Sequence, residues 1–115
     1  MDDALRNRIQ SILDENKIVL FMKGTKHFPR CGFSATVVEV LKAVGADFKD
    51  VNVLADPEIR EGIKEFASWP TIPQLYVNGK FIGGCDIVRD MYQDGELEPI
   101  VRAAASPSSS SSSSQ

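Results

Sequence analysis

The chain has 115 residues, of which 43% are hydrophobic and 25% are charged, and its formal net charge is −3. This length is typical of one domain with a single core, and the slightly acidic balance offers no basic field for nucleic acid. No apolar run approaches the roughly 18 residues of a membrane span, and the first ten residues lack the pattern of a secretory signal. We therefore expect neither a nucleic-acid-binding nor a membrane-spanning protein.

In the first half of the chain, hydrophobic spacing predicts two helices and two strands around one polar loop. The second helix would bury a stripe of Phe33, Val37, Leu41 and Val44, and Gly45 is placed to end it as the C′ residue. The first strand is apolar almost throughout, which is typical of a strand buried on both faces. The elements are a helix over 4–15, a strand over 17–22, the loop over 23–30, a helix over 32–44 and a strand over 47–54.

Capping and turn residues divide the second half of the chain. Asp56 as N-cap and Pro57 as first helical residue predict a third helix. Asn78-Gly79, between two short apolar runs, predicts a β-hairpin. The last two helices are expected over 87–94, capped by Asp86 and ended by Gly95, and over about 96–104.

The resulting order, α–β–α–β–α–β–β–α–α, predicts the fold class. The first β–α–β crossover should be parallel and right-handed, while the hairpin adds antiparallel strands. The product is an α/β fold of thioredoxin-like plan, with a mixed four-stranded sheet flanked by helices on both faces. We expect this domain to span residues 1–105 and the serine-rich segment 106–115 to be a disordered tail.

Two cysteines, Cys31 and Cys85, and one histidine, His27, are the nitrogen and sulfur metal ligands of the chain. We expect both thiols to be reduced, because a chain of this size needs no disulfide and nothing indicates secretion. Three such side chains cannot complete a four-ligand site, so a metal centre would need ligands from outside the chain. His27 lies in a polar loop and is interpreted as a surface residue.

Cys31 follows a strand and a loop and opens the second helix. The N–H groups of the first turn and the helix dipole favour a thiolate there, and Lys23 and Arg30 supply positive charge nearby. A free cysteine is often only a small buried hydrophobe, but the carboxyl end of a strand is where open α/β sheets bind ligands. We therefore predict a functional thiolate at Cys31.

Ser34 stands three positions after Cys31, where a dithiol redox protein has its second cysteine. A dithiol enzyme clears a mixed disulfide with that second thiol, which serine cannot do. Cys31 must then rely on an external thiol, on Cys85, or on a role without turnover.

Proline and glycine residues flank the predicted hairpin. Pro73 precedes a strand, and the local sequence favours a trans Ile72–Pro73 bond, although a cis bond would offer the Ile72 backbone to a ligand beside Cys31. The motif GGCD at 83–86 lets a ligand backbone approach closely. Its aspartate could cap the next helix, hold a ligand amine, or do both.

Three larger side chains complete the candidates. Lys23 and Arg60 are cations that could pair with ligand carboxylates, although each residue type is more often a solvated surface charge. Trp69, the single tryptophan, is interpreted as a packing residue beside Pro70.

Taken together, "KGTKHFPRCGFS", "WPTIPQLYVNGKFIGGCD" and the order of the elements closely resemble the monothiol glutaredoxins of the CGFS class. The resemblance covers about residues 3–104. It implies the thioredoxin/glutaredoxin fold, which agrees with the plan derived from the elements, and it implies a cis bond before Pro73. The stretch "GTKHFP" matches the longer loop that this class has before its active cysteine.

The resemblance also implies a binding site for glutathione and for an iron–sulfur cluster. We assign each role known in the family to the residue of this chain that matches the family's motif. The implied roles are Cys31 as active thiol and cluster ligand, Lys23 and Arg60 at the glycine carboxylate of glutathione, the Ile72 backbone at its cysteinyl part, Cys85 and Asp86 at its γ-glutamyl end, and Thr71 and Gly84 beside these contacts.

A [2Fe–2S] cluster needs four thiolate ligands. The resemblance implies that two chains and two glutathione molecules provide them. The resemblance implies a carrier that transfers this cluster to apo iron–sulfur acceptor proteins. Such a carrier would be a homodimer when loaded and a monomer when apo, with BolA-like proteins as further partners.

Two other functions stay open at this point. One is a weak glutathione-dependent thiol–disulfide oxidoreductase that removes glutathione from protein mixed disulfides. The other is a redox-inert binding module on the same scaffold. All three hypotheses fit a reducing compartment, for which we favour the plastid stroma or the cytoplasm over the mitochondrial matrix.

Overall fold

The computed structural model describes residues 1–105, which form five helices and four strands in the predicted order. The serine-rich segment 106–115, predicted to be a disordered tail, lies outside the described residues. Every helix in the described part of the chain is too short or too polar to cross a membrane. The elements are α1 (Asp3–Glu15), β1 (Ile18–Met22), α2 (Gly32–Ala43), β2 (Lys49–Asn52), α3 (Pro57–Phe66), β3 (Gln74–Val77), β4 (Lys80–Gly83), α4 (Cys85–Gln93) and α5 (Leu97–Ala105).

The four strands form one mixed sheet in the order β2-β1-β3-β4. β1 and β2 are parallel, with Val19 opposite Lys49, and α2 makes the crossover between them. β3 is antiparallel to both of its neighbours, β1 and β4. The predicted α/β fold with a mixed four-stranded sheet is therefore confirmed.

Each face of the sheet has its own hydrophobic cluster. β1 and β3 are buried along their whole length, because successive side chains point to opposite faces and helices cover both. Leu20 and Leu75 pack with α2, α4 and α5 on one face, whereas Phe21 and Tyr76 pack with α1 and α3 on the other. This two-sided burial is why the strand over 18–22 is apolar throughout.

Helix ends follow the capping chemistry that the sequence predicts at three positions. The Asp56 carboxylate accepts a hydrogen bond from the Ile59 N–H at 3.3 Å, as expected of the N-cap of α3. Gly45 and Gly95 have positive φ directly after the C-cap residues of α2 and α4. These residues mark where α3 begins and where α2 and α4 end, and so where the chain turns between helix and sheet.

The start of α4 differs from the prediction. The helix begins at Cys85 with Gly84 as its N-cap, so the prediction that Asp86 caps it is wrong. The Val88 N–H donates to the Gly84 carbonyl at 3.0 Å, which closes the first turn directly after β4. Asp86 therefore lies inside the first turn, where the helix dipole favours a carboxylate.

Candidate functional site

A pocket opens at the carboxyl end of β1, which is the predicted position of a ligand site. Its volume is about 460 Å³, and it lies between the starts of α2 and α4 and the loop that joins α3 to β3. The structure brings together around this pocket all the residues predicted for the site, while the role of each stays a prediction. They are Lys23, Cys31, Arg60, Ile72, Cys85 and Asp86, with Thr71 and Gly84 beside them.

Cys31 is the N-cap residue of α2 and is partly exposed to the pocket. The backbone N–H of Ser34 is the main group that holds the pKa of the Cys31 thiol below its ordinary value, and the Phe33 N–H and the Lys23 ammonium act in the same direction. Partial burial opposes this shift without cancelling it. Of the two cations named from the sequence, Lys23 is among the groups that lower the pKa, whereas Arg30 is not.

Ser34 is completely buried, and its Oγ accepts a hydrogen bond from the Lys23 N–H at 3.1 Å. Because Lys23 follows β1 and Ser34 lies in the first turn of α2, this bond ties the strand end to the helix start. The hydroxyl also contributes to the lowered pKa of Cys31. The serine that stands in place of a second thiol therefore also has a structural role, which was not predicted from the sequence.

The loop between β1 and α2 is held by its own backbone and by β2. Thr25 and Phe28 exchange backbone hydrogen bonds at 3.1 and 3.3 Å. Two β2 side chains accept hydrogen bonds from backbone N–H groups of the loop, Asn52 from Gly24 at 2.9 Å and Asp50 from Lys26 at 2.8 Å. The loop that carries the chain from Lys23 to Cys31 is thus anchored to the edge strand of the sheet.

Cys85 and Asp86 form the wall of the pocket at the start of α4. Burial, and secondarily the Asp86 carboxylate, raise the pKa of the Cys85 thiol, so this cysteine stays protonated at a pH where Cys31 ionises. Both cysteines are free thiols, as predicted. Asp86 is exposed, and Arg89 Nη2 lies 3.4 Å from its Oδ1.

Cations line the same pocket as Asp86. Lys23 and Arg60, both named from the sequence, are joined by Lys64, whose Nζ lies 3.1 Å from the Glu61 carboxylate. Lys64 was not among the residues predicted for the site. The available signal was its spacing, since residues four apart on a helix lie on the same face, and Lys64 follows Arg60 on α3 by four.

The loop between α3 and β3 closes the pocket. The Ile72–Pro73 bond is cis, as the resemblance implies and contrary to the expectation from the local sequence alone. The Ile72 N–H and C=O have no hydrogen-bond partner within residues 1–105. These two backbone groups can therefore pair with a ligand in the pocket.

Trp69 packs as predicted and also lines the pocket. Its ring lies against Phe81 with the ring centroids 5.4 Å apart. Its Nε1 is buried without a hydrogen-bond partner in the described part of the chain, and a Cβ built on Gly84 would come within 3.1 Å of that nitrogen. The indole thus connects the α3–β3 loop to the start of α4.

The prediction that Phe33 belongs to the hydrophobic core was wrong. It was placed in the buried stripe of α2, but it lines the pocket with 63% of its surface exposed. Phe33 belongs to the first turn of α2, next to Cys31, and apolar spacing along a helix does not distinguish a pocket rim from a core. Ile87, on the first turn of α4, is also exposed at this rim. His27 is exposed, as predicted.

The pH dependence of Cys31 alkylation tests the groups that act on its thiol. Because the folded thiol has a lowered pKa, its rate of reaction with iodoacetamide should reach half its maximum at a lower pH than in the unfolded chain. Lys23→Met should raise this midpoint by less than about one pH unit, since the main backbone donor at Ser34 is retained. Rates measured in a Cys85→Ser background report on a single thiol.

Lys80→Met is the matched control, because Lys80 is an exposed cation in the β-hairpin, outside the pocket lining. It should leave the midpoint where it is. A Lys23→Met midpoint equal to that of the unfolded chain would contradict the leading role of the Ser34 backbone.

Comparison with known proteins relates the chain to a family. The family model described as Glutaredoxin matches residues 18–82. Probable monothiol glutaredoxin 2 of Rickettsia typhi is 56% identical over 94 residues, which cover 82% of this chain and 85% of that protein. A Synechocystis protein, uncharacterized monothiol glutaredoxin ycf64-like, is 51% identical over 104 residues, covering 90% and 97%. Rice monothiol glutaredoxin-S7, chloroplastic, is 49% identical over 100 residues, covering 87% and 60%.

Solved structures share the fold. The solution structure of reduced poplar apo GrxS14 has a TM-score of 0.77 and 51% sequence identity, covering 87% of this chain and 92% of that chain. The crystal structure of the holo form of glutaredoxin C1 from Populus tremula x tremuloides has a TM-score of 0.81 at 28% identity, covering 90% and 92%. The similarity therefore extends over nearly all of the described residues.

Proposed function

Because the chain belongs to the glutaredoxin family, and within it to the monothiol glutaredoxins, we propose that it binds glutathione together with a [2Fe–2S] cluster and transfers the cluster to acceptor proteins. The observation that carries this proposal is a single thiol with a lowered pKa in a pocket that is also lined by three cations and a carboxylate. Glutathione has two carboxylates and one ammonium, which complement those charges.

The pocket suits the length and polarity of glutathione. Lys23 and Arg60, with Lys64 beside them, would bind the glycine carboxylate. The free backbone groups of Ile72 would pair with the cysteinyl residue. At the far end, Asp86 would hold the γ-glutamyl ammonium, while the N–H groups of the first turn of α4 would favour its carboxylate. A volume of about 460 Å³ is within the usual range for small-molecule sites.

The residues present would supply one cluster ligand per chain. Within residues 1–105, no three side chains of His, Cys, Asp or Glu are grouped so that they could hold a metal. Cys31 has the thiolate character that iron requires, whereas the raised pKa of Cys85 disfavours ligation. We infer that two chains and two glutathione molecules provide the four thiolates.

This ligand set suits transfer of the cluster as cargo. Two of the four thiolates would belong to glutathione, which exchanges with solution, so the cluster could leave without unfolding the protein. The loaded protein would be a homodimer and the apo protein a monomer, and a BolA-like protein could replace one protomer. Acceptors would be apo iron–sulfur proteins, and the chloroplastic and cyanobacterial relatives support a plastid or cytoplasmic setting.

The oxidoreductase alternative is not favoured. Position 34 holds a buried serine whose hydroxyl accepts a hydrogen bond from the Lys23 N–H. It therefore provides no second thiol that could resolve a mixed disulfide at Cys31. Cys85 is the one other thiol of the chain, and its raised pKa makes it a poor nucleophile at neutral pH.

Anaerobic reconstitution with iron, sulfide and glutathione tests the proposal. We expect a coloured dimer, detected by visible absorption, circular dichroism and gel filtration, that bleaches to a colourless monomer when glutathione is removed. Cys85→Ser should keep most of the cluster, because Cys85 is not assigned as a ligand. A colourless monomer under all conditions would overturn the carrier function, and loss of the cluster from Cys85→Ser would overturn the ligand assignment.

A further inference from the structure

A buried polar network lies directly behind the pocket. Gln74 is completely buried and Tyr76 is 2% exposed, and the two residues share a face of β3 because they are two positions apart. The Tyr76 hydroxyl donates to Gln74 Oε1 at 3.0 Å. Gln74 Nε2 donates to the carbonyls of Trp69 and Thr71, both at 3.1 Å.

Every polar atom of this network has a defined partner. A primary amide has two N–H donors and one carbonyl oxygen, and Gln74 uses both donors on the loop and the oxygen on Tyr76. The orientation is fixed by chemistry, because backbone carbonyls only accept and the amide nitrogen must therefore face them. Burial raises the pKa of Tyr76, so its hydroxyl remains a donor at physiological pH.

The loop that receives these bonds has few others. Its start is fixed to the end of α3, where the Trp69 N–H donates to the Lys64 carbonyl at 2.9 Å. Beyond that point the Gln74 amide is the group that holds the carbonyls of Trp69 and Thr71 in place. Ile72 lines the pocket and lies between Thr71 and the start of β3, and its backbone N–H and C=O have no partner within residues 1–105.

We propose that Gln74 is a positioning residue, which holds the loop between α3 and β3 in the conformation that binds glutathione. The proposal rests on the proposed function. By holding the Trp69 and Thr71 carbonyls, Gln74 sets the position of the Ile72 backbone before any ligand arrives. The Trp69 indole packs against Phe81 and the start of α4, so a displaced loop would also disturb the other end of the pocket.

Gln74→Met and Gln74→Glu test the proposal against the matched control Tyr76→Phe. Methionine keeps the volume of glutamine but offers no donor. Glutamate keeps the acceptor for Tyr76 and loses the paired N–H donors. Tyr76→Phe removes a hydrogen bond of the same network on the strand side and leaves both bonds to the loop, so it reports the cost of damaging the network without releasing the loop.

The readouts are glutathione affinity by NMR titration with reduced glutathione, tryptophan fluorescence, and the free energy of unfolding. We expect both Gln74 variants to bind glutathione about tenfold more weakly, and Tyr76→Phe less than about threefold more weakly at a similar loss of stability. Trp69 is the only tryptophan, so its emission should shift to longer wavelength and its quenching by acrylamide should increase in the Gln74 variants alone.

The outcomes separate this inference from the proposed function. If the wild-type protein binds glutathione and the Gln74 variants bind it equally well, with unchanged Trp69 emission, the positioning role is overturned and the proposed function stands. The same holds if affinity falls only in proportion to stability across all three variants. A wild-type protein that does not bind glutathione would overturn the proposed function, and the glutathione role of Gln74 with it. If Gln74→Met does not fold, Gln74→Glu gives the comparison.

Discussion

A Cys31→Ser variant is expected to hold no [2Fe–2S] cluster and to lose the alkylation that reports its thiolate. A serine hydroxyl does not ionise near neutral pH, and iron in these clusters prefers thiolate sulfur to a neutral oxygen. The loss should be complete, because no second cysteine of the chain has a lowered pKa. Cluster absorbance after anaerobic reconstitution, with bound iron and sulfide measured on the same sample, checks this prediction.

The variant should remain folded, which makes the result interpretable. Cys31 is the N-cap residue of α2, and serine is among the preferred residues at that position because its hydroxyl can accept from the N–H groups of the first turn. We expect the free energy of unfolding to stay unchanged or to rise by up to about 1 kcal/mol. Cys85→Ser, which also replaces a partly buried thiol, is the comparison variant. A Cys31→Ser protein that still binds the cluster would overturn the ligand assignment.

A Gly24→Ala variant is expected to lose about 2–4 kcal/mol of unfolding free energy. Gly24 has φ +92°, and a Cβ at this position would lie 2.5 Å from the Phe28 carbonyl oxygen and 2.7 Å from the Arg30 backbone nitrogen. Both obstacles are backbone atoms, so no side-chain rotation relieves the contact. The loop must open, and it would release the Asn52 hydrogen bond to the Gly24 N–H.

Urea denaturation followed by far-ultraviolet circular dichroism measures this effect. Gly79→Ala is the matched control, because Gly79 also has positive φ, +78°, but a Cβ there meets nothing within 4 Å. The control should lose only the conformational cost of about 1 kcal/mol. Equal losses in the two variants would show that the backbone contacts around Gly24 do not matter. Because this loop leads from Lys23 to Cys31, we also expect weaker retention of the cluster in Gly24→Ala.

Local chemistry made the elements of the fold predictable. Asp56, Gly45 and the Asn78-Gly79 turn each act through their own backbone or the next few residues, so their effect can be read from a short stretch. The start of α4 could not be predicted in this way, since Gly84 and Asp86 are both acceptable N-cap residues. The choice between them depends on how many residues separate the end of β4 from the first turn of the helix. Strand pairing in the sheet sets where β4 ends, and a short stretch of sequence does not show this.

The site was predictable where it depends on motif and unpredictable where it depends on packing. The resemblance named residues that the fold brings around one pocket, and it corrected the local expectation of a trans bond before Pro73. Phe33 was assigned to the core because the spacing of a helix does not show which turn lies over a pocket. Gln74 and Asn52 were not noticed, because their partners lie in other elements and only the folded chain brings them together.

The hydrogen bond from the Lys23 N–H to the buried Ser34 hydroxyl has a consequence for how such sites diverge. A cysteine at this position would bring a second sulfur, but sulfur is a weaker hydrogen-bond acceptor than oxygen and is larger in a space that is fully enclosed. Gaining a resolving thiol would therefore weaken the joint between β1 and α2. In this chain, a change from one-thiol to two-thiol chemistry would therefore need more than a cysteine at position 34. It would also need another contact that holds the end of β1 to the start of α2.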